Sequence, residues 1–140
     1  MNKLGPTKLN LTVFNKTVDS LSSAFYEYRK SGDEFVKDSC LHRFKLCYRL
    51  AHTSIQRYLE VQGPDNNGIK QMTFQQIITK VYSLGLILNG WKSWEIYRHY
   101  SSRVKLAYDK DIAEEILAII PTFLDELRYI QKLSSHENNY

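Results

Sequence analysis

Apolar residues recur at intervals of three and four along most of this chain, and this spacing limits the fold more than any other feature. The first stripe comprises Leu11, Phe14, Val18, Leu21, Phe25 and Tyr28. Such intervals place side chains on one face of an α-helix. No segment sustains the apolar–polar alternation that a half-buried strand requires. We therefore predict a protein built from helices alone.

Turn signals separate the first two helices and end the second. Ser31-Gly32 predicts the end of the first helix. The second helix is longer and ends before Gln62-Gly63-Pro64, and Pro64–Gly68 predicts a loop. Its apolar stripe comprises Val36, Cys40, Phe44, Cys47, Ala51, Ile55 and Tyr58.

A shorter third helix begins at a capping box. Thr73 and Gln76 have the spacing at which side chain and backbone cap each other at a helix start. The helix is predicted to run to about Leu84, with Gly85 at its end. Its inward residues are predicted to be Ile77, Val81 and Leu84.

Two further helices complete the prediction. Asn89-Gly90 turns the chain into a fourth helix from Trp91 to about Leu106. Asp109 or Asp111 caps a fifth, in which Pro121 predicts a kink or a split. We expect an all-α, up-and-down bundle of four long helices plus one short helix. It forms one domain over residues 1–140, with residues 1–8 and 134–140 frayed.

Composition narrows the class of protein further. The chain has 140 residues, of which 43% are hydrophobic, enough for the core of one domain. Its longest apolar runs, such as Ile116–Ile120, are far below the roughly 20 residues of a membrane span. No apolar segment of a signal peptide follows Met1. We expect a cytoplasmic protein that does not enter a membrane.

Familiar catalytic and metal-binding motifs are missing from the sequence. Cys40 and Cys47 share a helical face about 10.5 Å apart, too far for a disulfide within one helix. The four histidines form no zinc-binding spacing, and neither a glycine-rich phosphate loop nor a G-x-S-x-G turn occurs. We therefore expect core thiols, no metal and no cofactor.

The charge is concentrated in the middle of the chain. Residues 39–108 carry ten basic and three acidic side chains, a net charge of +7 within a total of +4. On the fourth helix, basic residues alternate with Trp91, Trp94, Tyr97 and Tyr100, a mixture suited to nucleic acid. The alternatives are plain helix packing and a balance against an acidic partner or the acidic start of the last helix.

Several segments, in order and spacing, resemble a known family from Asp33 to Leu127. They are Arg43-Phe44, Tyr48-Arg49-Leu50-Ala51, Tyr58-Leu59, Gly63, the segment from Thr73 through Gly85-Leu86-Ile87, Trp94, Tyr108-Asp109 and Ala113-Glu114-Glu115-Ile116. The chain resembles the small HEPN-domain proteins known as nucleotidyltransferase substrate-binding proteins. The resemblance implies a homodimeric bundle of four to five helices, encoded beside a minimal nucleotidyltransferase in a toxin–antitoxin-type pair.

Toxins of the wider family are RNases with an Arg, four residues, a His, one residue and a Tyr. Alignment on Trp94 and Tyr108 places Ser101 at the Arg position and Leu106 at the His position, so only Tyr108 is kept. Leucine cannot transfer a proton, so a non-catalytic subunit is favoured over the alternative, an RNase with an altered site. That site would use Arg98, His99 or Arg103. A helical interaction module without either role is a third reading.

Two groups of residues are candidates for binding. The resemblance implies that Tyr108 accepts AMP from the nucleotidyltransferase, the alternative being a packing residue at a helix junction. Where relatives often carry acids, this chain has Lys45 and Arg49, which either bind an anion or an acidic partner, or else extend over the bundle. The candidates for phosphate or RNA binding are Arg43, Lys45, Arg49, Arg98, His99, Arg103 and Lys105.

Overall fold

The computed structural model describes residues 11–62 and 66–138, which form a helical bundle. The helices are α1 (Thr12–Ser31), α2 (Glu34–Gln62), α3 (Asn66–Lys70), α4 (Phe74–Ser83), α5 (Trp91–Arg103) and α6 (Lys110–Asn138), with a 3₁₀ turn at Val104–Leu106. No strand occurs in these ranges, and the predicted all-α bundle is confirmed. Helix α2 is central, since it packs against all five other helices and the 3₁₀ turn.

Most of the predicted helix ends are confirmed in atomic detail. Gly32 ends α1 with a φ of 66°, a conformation that glycine adopts without strain. At the start of α4, the Thr73 hydroxyl accepts from the Gln76 N–H at 3.2 Å, and the Gln76 side chain accepts from the Thr73 N–H at 2.9 Å. Asp109 rather than Asp111 caps α6, because its carboxylate accepts from the N–H groups of Asp111 and Ile112.

Three local predictions need correction. The predicted loop Pro64–Gly68 is wrong at Asn66–Gly68, which belong to α3, because Ile69 anchors this short helix in the core; residues 64 and 65 lie outside the described ranges. Leu84 is 56% exposed rather than inward, since it lies at the end of α4. Helix α6 continues through Pro121, so the predicted split is wrong and only the kink stays a prediction; Pro121 itself is exposed, while the neighbouring Ile120 and Phe123 are buried in the core.

The ends of the chain were predicted to fray. Residues 1–8 lie outside the described part of the chain, as do residues 139 and 140. The backbone of residues 134–138 continues α6. The fraying of residues 1–8 and 134–140 therefore stays a prediction.

An aromatic cluster fills the centre of the bundle. Phe123 of α6 contacts Phe44 of α2, with ring centroids 5.1 Å apart, and Tyr97 of α5, at 4.8 Å. Both cysteines are fully buried on α2, as expected for core thiols. Burial raises the pKa of Cys40 to about 11 and that of Cys47 to about 12, so neither is a reactive thiolate near neutral pH.

One carboxylate lies inside this core. Glu126 of α6 is fully buried and accepts hydrogen bonds from the backbone N–H groups of Leu88 (2.7 Å) and Asn89 (3.2 Å). It also accepts from the Asn89 side chain at 2.9 Å and from the Tyr97 hydroxyl at 3.4 Å. Because an ionised group is costly to bury without partners, these donors make its position possible. Glu126 therefore holds the segment between α4 and α5 against α6.

Replacing Glu126 with alanine should destabilise the fold strongly. The change leaves the buried donors of Leu88 and Asn89 without an acceptor, which should lower the free energy of unfolding by about 2–4 kcal/mol. Urea unfolding followed by circular dichroism measures this loss. Asp125→Ala, at the exposed neighbouring position, is the matched control and should change stability by less than about 0.5 kcal/mol. Equal effects of the two substitutions would contradict the anchoring role of Glu126.

Candidate functional site

The junction between α5 and α6 presents Tyr108 to solvent. Helix α5 ends at Arg103, the chain makes the 3₁₀ turn Val104–Leu106, and α6 begins at Lys110. Tyr108 lies in the short connection between them and is 89% exposed, the most exposed large hydrophobic side chain of the described residues. Tyr108 therefore does not pack into the core of this chain, while its role as AMP acceptor or as a packing residue in a larger assembly stays a prediction.

The other two motif positions do not face solvent in the same way. Ser101 is buried on the inner face of α5, and Leu106 is half-buried in the 3₁₀ turn. The turn interrupts the α-helix between them, so a helical wheel drawn through residues 99–106 misjudges their relative directions. Ser101, the residue that the resemblance aligns with the Arg of the RNase motif, therefore points into the protein.

The residues predicted for the altered RNase site, Arg98, His99 and Arg103, lie on α5 but have different surroundings. His99 is exposed, and its ring meets that of Tyr100 with centroids 4.9 Å apart. The Tyr100 hydroxyl donates to Glu115 at 3.1 Å, and the pKa of Tyr100 is raised by burial and then by Glu115, while nearby Arg103 opposes the shift. The charge of Arg98 instead acts on α2, where it opposes the larger effect of burial on the pKa of Tyr48 and adds to the effect of burial on the pKa of His52.

The basic candidates on α2 face elsewhere. The Arg43 Nε donates to the Ser39 hydroxyl at 2.6 Å, and Arg43 lines a groove of about 530 Å³ between α1 and α2. Lys45 is half-buried and Arg49 is exposed. Within the described ranges neither of them forms an ion pair. Lys105 is exposed on the 3₁₀ turn.

Sequence reasoning missed a polar cluster beside Arg98. His52 of α2 is half-buried, and its ring packs on Phe74, the first residue of α4, with centroids 3.8 Å apart. Burial and then the charge of Arg98 lower the pKa of His52. Tyr48, one turn earlier, is buried, which raises its pKa to about 12 although Arg98 opposes the shift. The spacing of Tyr48 and His52 was visible in the sequence, but the contact with α4 was not.

The described residues contain neither a candidate metal site nor a candidate membrane-spanning helix. Within these ranges, no group of three or more His, Cys, Asp or Glu side chains is arranged to hold a metal ion. Nor does any helix here have the length and apolar character needed to cross a membrane.

An arginine at position 101 should lower the stability of the fold. Because Ser101 is buried, Ser101→Arg forces a charged side chain into a packed helix face and should lower the free energy of unfolding by about 1–3 kcal/mol. Thermal or urea unfolding measures the effect. Ser102→Arg, at the exposed next position, is the control and should change stability by less than about 0.5 kcal/mol. A stable Ser101→Arg protein would show that this face of α5 tolerates the motif residue.

Comparison with known proteins assigns the chain to a family. No individually curated protein matches it significantly. The family described as "nucleotidyltransferase substrate binding protein like" matches residues 9–136, nearly the whole chain. The match agrees with the all-helical fold and with the resemblance seen in the order of its sequence landmarks. The chain is therefore a member of the nucleotidyltransferase substrate-binding-protein-like family.

Proposed function

We propose that this protein is a non-catalytic subunit that forms a complex with a minimal nucleotidyltransferase. The observation that carries the proposal is the exposure of Tyr108 together with the loss of the acid–base residue at Leu106. A leucine cannot donate or accept the proton that RNA cleavage requires, whereas an exposed phenol can enter the active site of another enzyme. Family membership supports a nucleotidyltransferase as the partner.

The role proposed for Tyr108 is that of AMP acceptor. Its phenolic oxygen would attack the α-phosphorus of ATP held by the nucleotidyltransferase. An O–P bond forms, the bond to pyrophosphate breaks, and the phenolic proton passes to a base of the partner or to water. Lys105 and Lys110 are exposed on either side of Tyr108 and would contact the ATP phosphates, while the exposed Asp109 and Asp111 leave the segment 105–111 without a net charge.

Membership of the same family also supports a proposal on the oligomeric state, the location and the biological role of the protein. We propose a homodimer that acts in the cytoplasm as part of a toxin–antitoxin-type pair. Phe35, at the start of α2, is 84% exposed and lines the groove between α1 and α2, where a second copy of the chain would cover it. The basic residues of α2 and α5 would hold a nucleotide, RNA or an acidic surface of the partner.

Co-expression with the neighbouring nucleotidyltransferase tests the acceptor. The intact mass of the purified protein should increase by one adenylyl group, and peptide mapping should place that group on Tyr108. Tyr108→Phe should abolish the increase without a change in stability above about 0.5 kcal/mol, because the side chain is exposed. Tyr26→Phe, at a tyrosine that is 66% exposed on α1, is the matched control and should keep the modification.

Results of two kinds would contradict the proposal, one on the modification and one on catalysis. The first is an unmodified protein in the presence of a nucleotidyltransferase shown to be active, or a modification that persists in Tyr108→Phe. The second concerns catalysis: if expression of this chain alone is toxic and Arg98→Ala or His99→Ala removes the toxicity, the chain is an RNase with an altered site.

A further inference from the structure

Tyr108 combines a free side chain with an anchored backbone. Residues 104–109, which we call the Tyr108 turn, join α5 to α6. Within this turn Val104 and Ala107 are half-buried and pack against the hydrophobic core. Ala107 directly precedes Tyr108, which is 89% exposed. The chain therefore contacts the core immediately before it presents the phenol to solvent.

Backbone hydrogen bonds close the Tyr108 turn on both sides of the tyrosine. The Ala107 N–H donates to the carbonyl of Val104 at 2.9 Å. The Asp109 N–H donates to the carbonyl of Leu106 at 3.0 Å. Each bond joins residues three apart, which is the spacing of a tight turn. The residues directly before and after Tyr108 are therefore both held by a bond within the turn.

The side chain of Asp109 adds a further constraint directly after Tyr108. Its Oδ1 atom accepts hydrogen bonds from the N–H groups of Asp111 at 2.9 Å and of Ile112 at 3.2 Å. The Asp109 carbonyl accepts from the Ala113 N–H at 3.0 Å. The first N–H groups of a helix have no partner within it and need such an acceptor. Asp109 therefore ties the end of the Tyr108 turn to the first turn of α6.

A contact between side chains also joins the two helices that the Tyr108 turn connects. The Tyr100 hydroxyl of α5 donates to the Glu115 carboxylate of α6 at 3.1 Å. Tyr100 lies in the last turn of α5, and Glu115 lies in the second turn of α6. This bond holds the two ends of the junction next to each other.

The ring of Tyr108 itself has no ring, cation or hydrogen-bond partner within the described ranges. The other two tyrosines that are more than half exposed there have contacts. The Lys30 ammonium lies 5.3 Å from the ring centroid of Tyr26. The ring of Tyr82 packs on Gly90, where it lies 3.5 Å from the position that a Cβ would take. Among these three, Tyr108 alone can enter another active site without losing a contact of its ring.

We propose that the nucleotidyltransferase recognises the Tyr108 turn in its folded conformation and that Asp109 is the positioning residue for the modification. An enzyme that binds a flexible segment must order that segment, which weakens binding. In this protein the hydrogen bonds of the turn have already ordered the backbone, so binding orders only the side chain of Tyr108. The substrate of the partner is thus a preformed turn and not an extended peptide.

This inference deepens the function proposed above and rests on it. It attributes the choice of tyrosine to the conformation of the chain and not to local charge, since the segment 105–111 has no net charge. The role given to Asp109 is to hold the backbone that carries Tyr108. Asp109 takes no part in the transfer of the adenylyl group.

The test measures how fast the purified nucleotidyltransferase transfers adenylyl groups from ATP to this protein. Initial rates at increasing concentrations of the protein, followed by intact mass, give kcat and KM. Asp109→Ala removes the cap, so the turn has to be ordered in each binding event. We expect KM for the protein to rise about fivefold while kcat changes less than about twofold.

Two further substitutions separate the cap from the charge. Asp109→Asn keeps a capping oxygen without the charge and should keep KM within about twofold of the natural value. Asp111→Ala removes an equal charge from an exposed position in the first turn of α6 and leaves the cap in place. As the matched control, it should change KM less than about twofold. An Asp109→Asn protein as poor as Asp109→Ala, or an equal loss in Asp111→Ala, would overturn the proposal.

Hydrogen exchange measures the conformation of the turn without the partner. The Asp109 N–H, which is bonded to Leu106, should be protected in the natural protein and in Asp109→Asn, and should exchange about fivefold faster in Asp109→Ala. An unprotected N–H in the natural protein would overturn the preformed turn. If the natural protein and Asp109→Ala are modified with the same KM, the positioning role fails while the acceptor role of Tyr108 holds. An unmodified natural protein with an active partner would overturn both.

Discussion

The buried carboxylate of Glu126 positions the rest of this bundle. It accepts hydrogen bonds from the segment before α5 and from Tyr97 within α5, while its own backbone belongs to α6. A carboxylate in a core is stable only when donors surround it, so the segment 88–89 and α5 must keep their places. Both the direction of α5 and the faces it presents follow from this requirement.

The position of α5 in turn determines which of its side chains are buried and which are exposed. Trp94, Tyr97 and Ser101 lie against the core, while Arg98 and His99 are exposed. Arg98 acts across to α2, and the end of α5 leads through the 3₁₀ turn to Tyr108. One anchored helix therefore fixes both the exposed basic side chains of α5 and the path of the chain to the exposed tyrosine.

Much of the fold could be predicted because its signals are local. The capping residues Thr73, Gln76 and Asp109 act on neighbours within three residues, and the apolar stripes need only helical spacing. The mismatch to the RNase motif also depends on residue types alone, and it stays a prediction from the resemblance. Glu126 and the packing of His52 on Phe74 were not predicted, because each joins helices far apart in the chain. The direction of Ser101 and Leu106 required the 3₁₀ turn, which breaks the helical period.

Two tyrosines of this chain lie in opposite surroundings, since Tyr108 is exposed and Tyr48 is buried. A residue modified by a second enzyme must leave the protein surface and enter a foreign active site, and Tyr108 at 89% exposure meets that need. Tyr48 has the opposite setting, since it is buried among aromatic rings and its hydroxyl is shielded from solvent. Neither arrangement supplies the proton transfer lost at Leu106. The basic surplus of the middle segment thus fits the non-catalytic role that we propose, in which it holds an anion or an acidic partner.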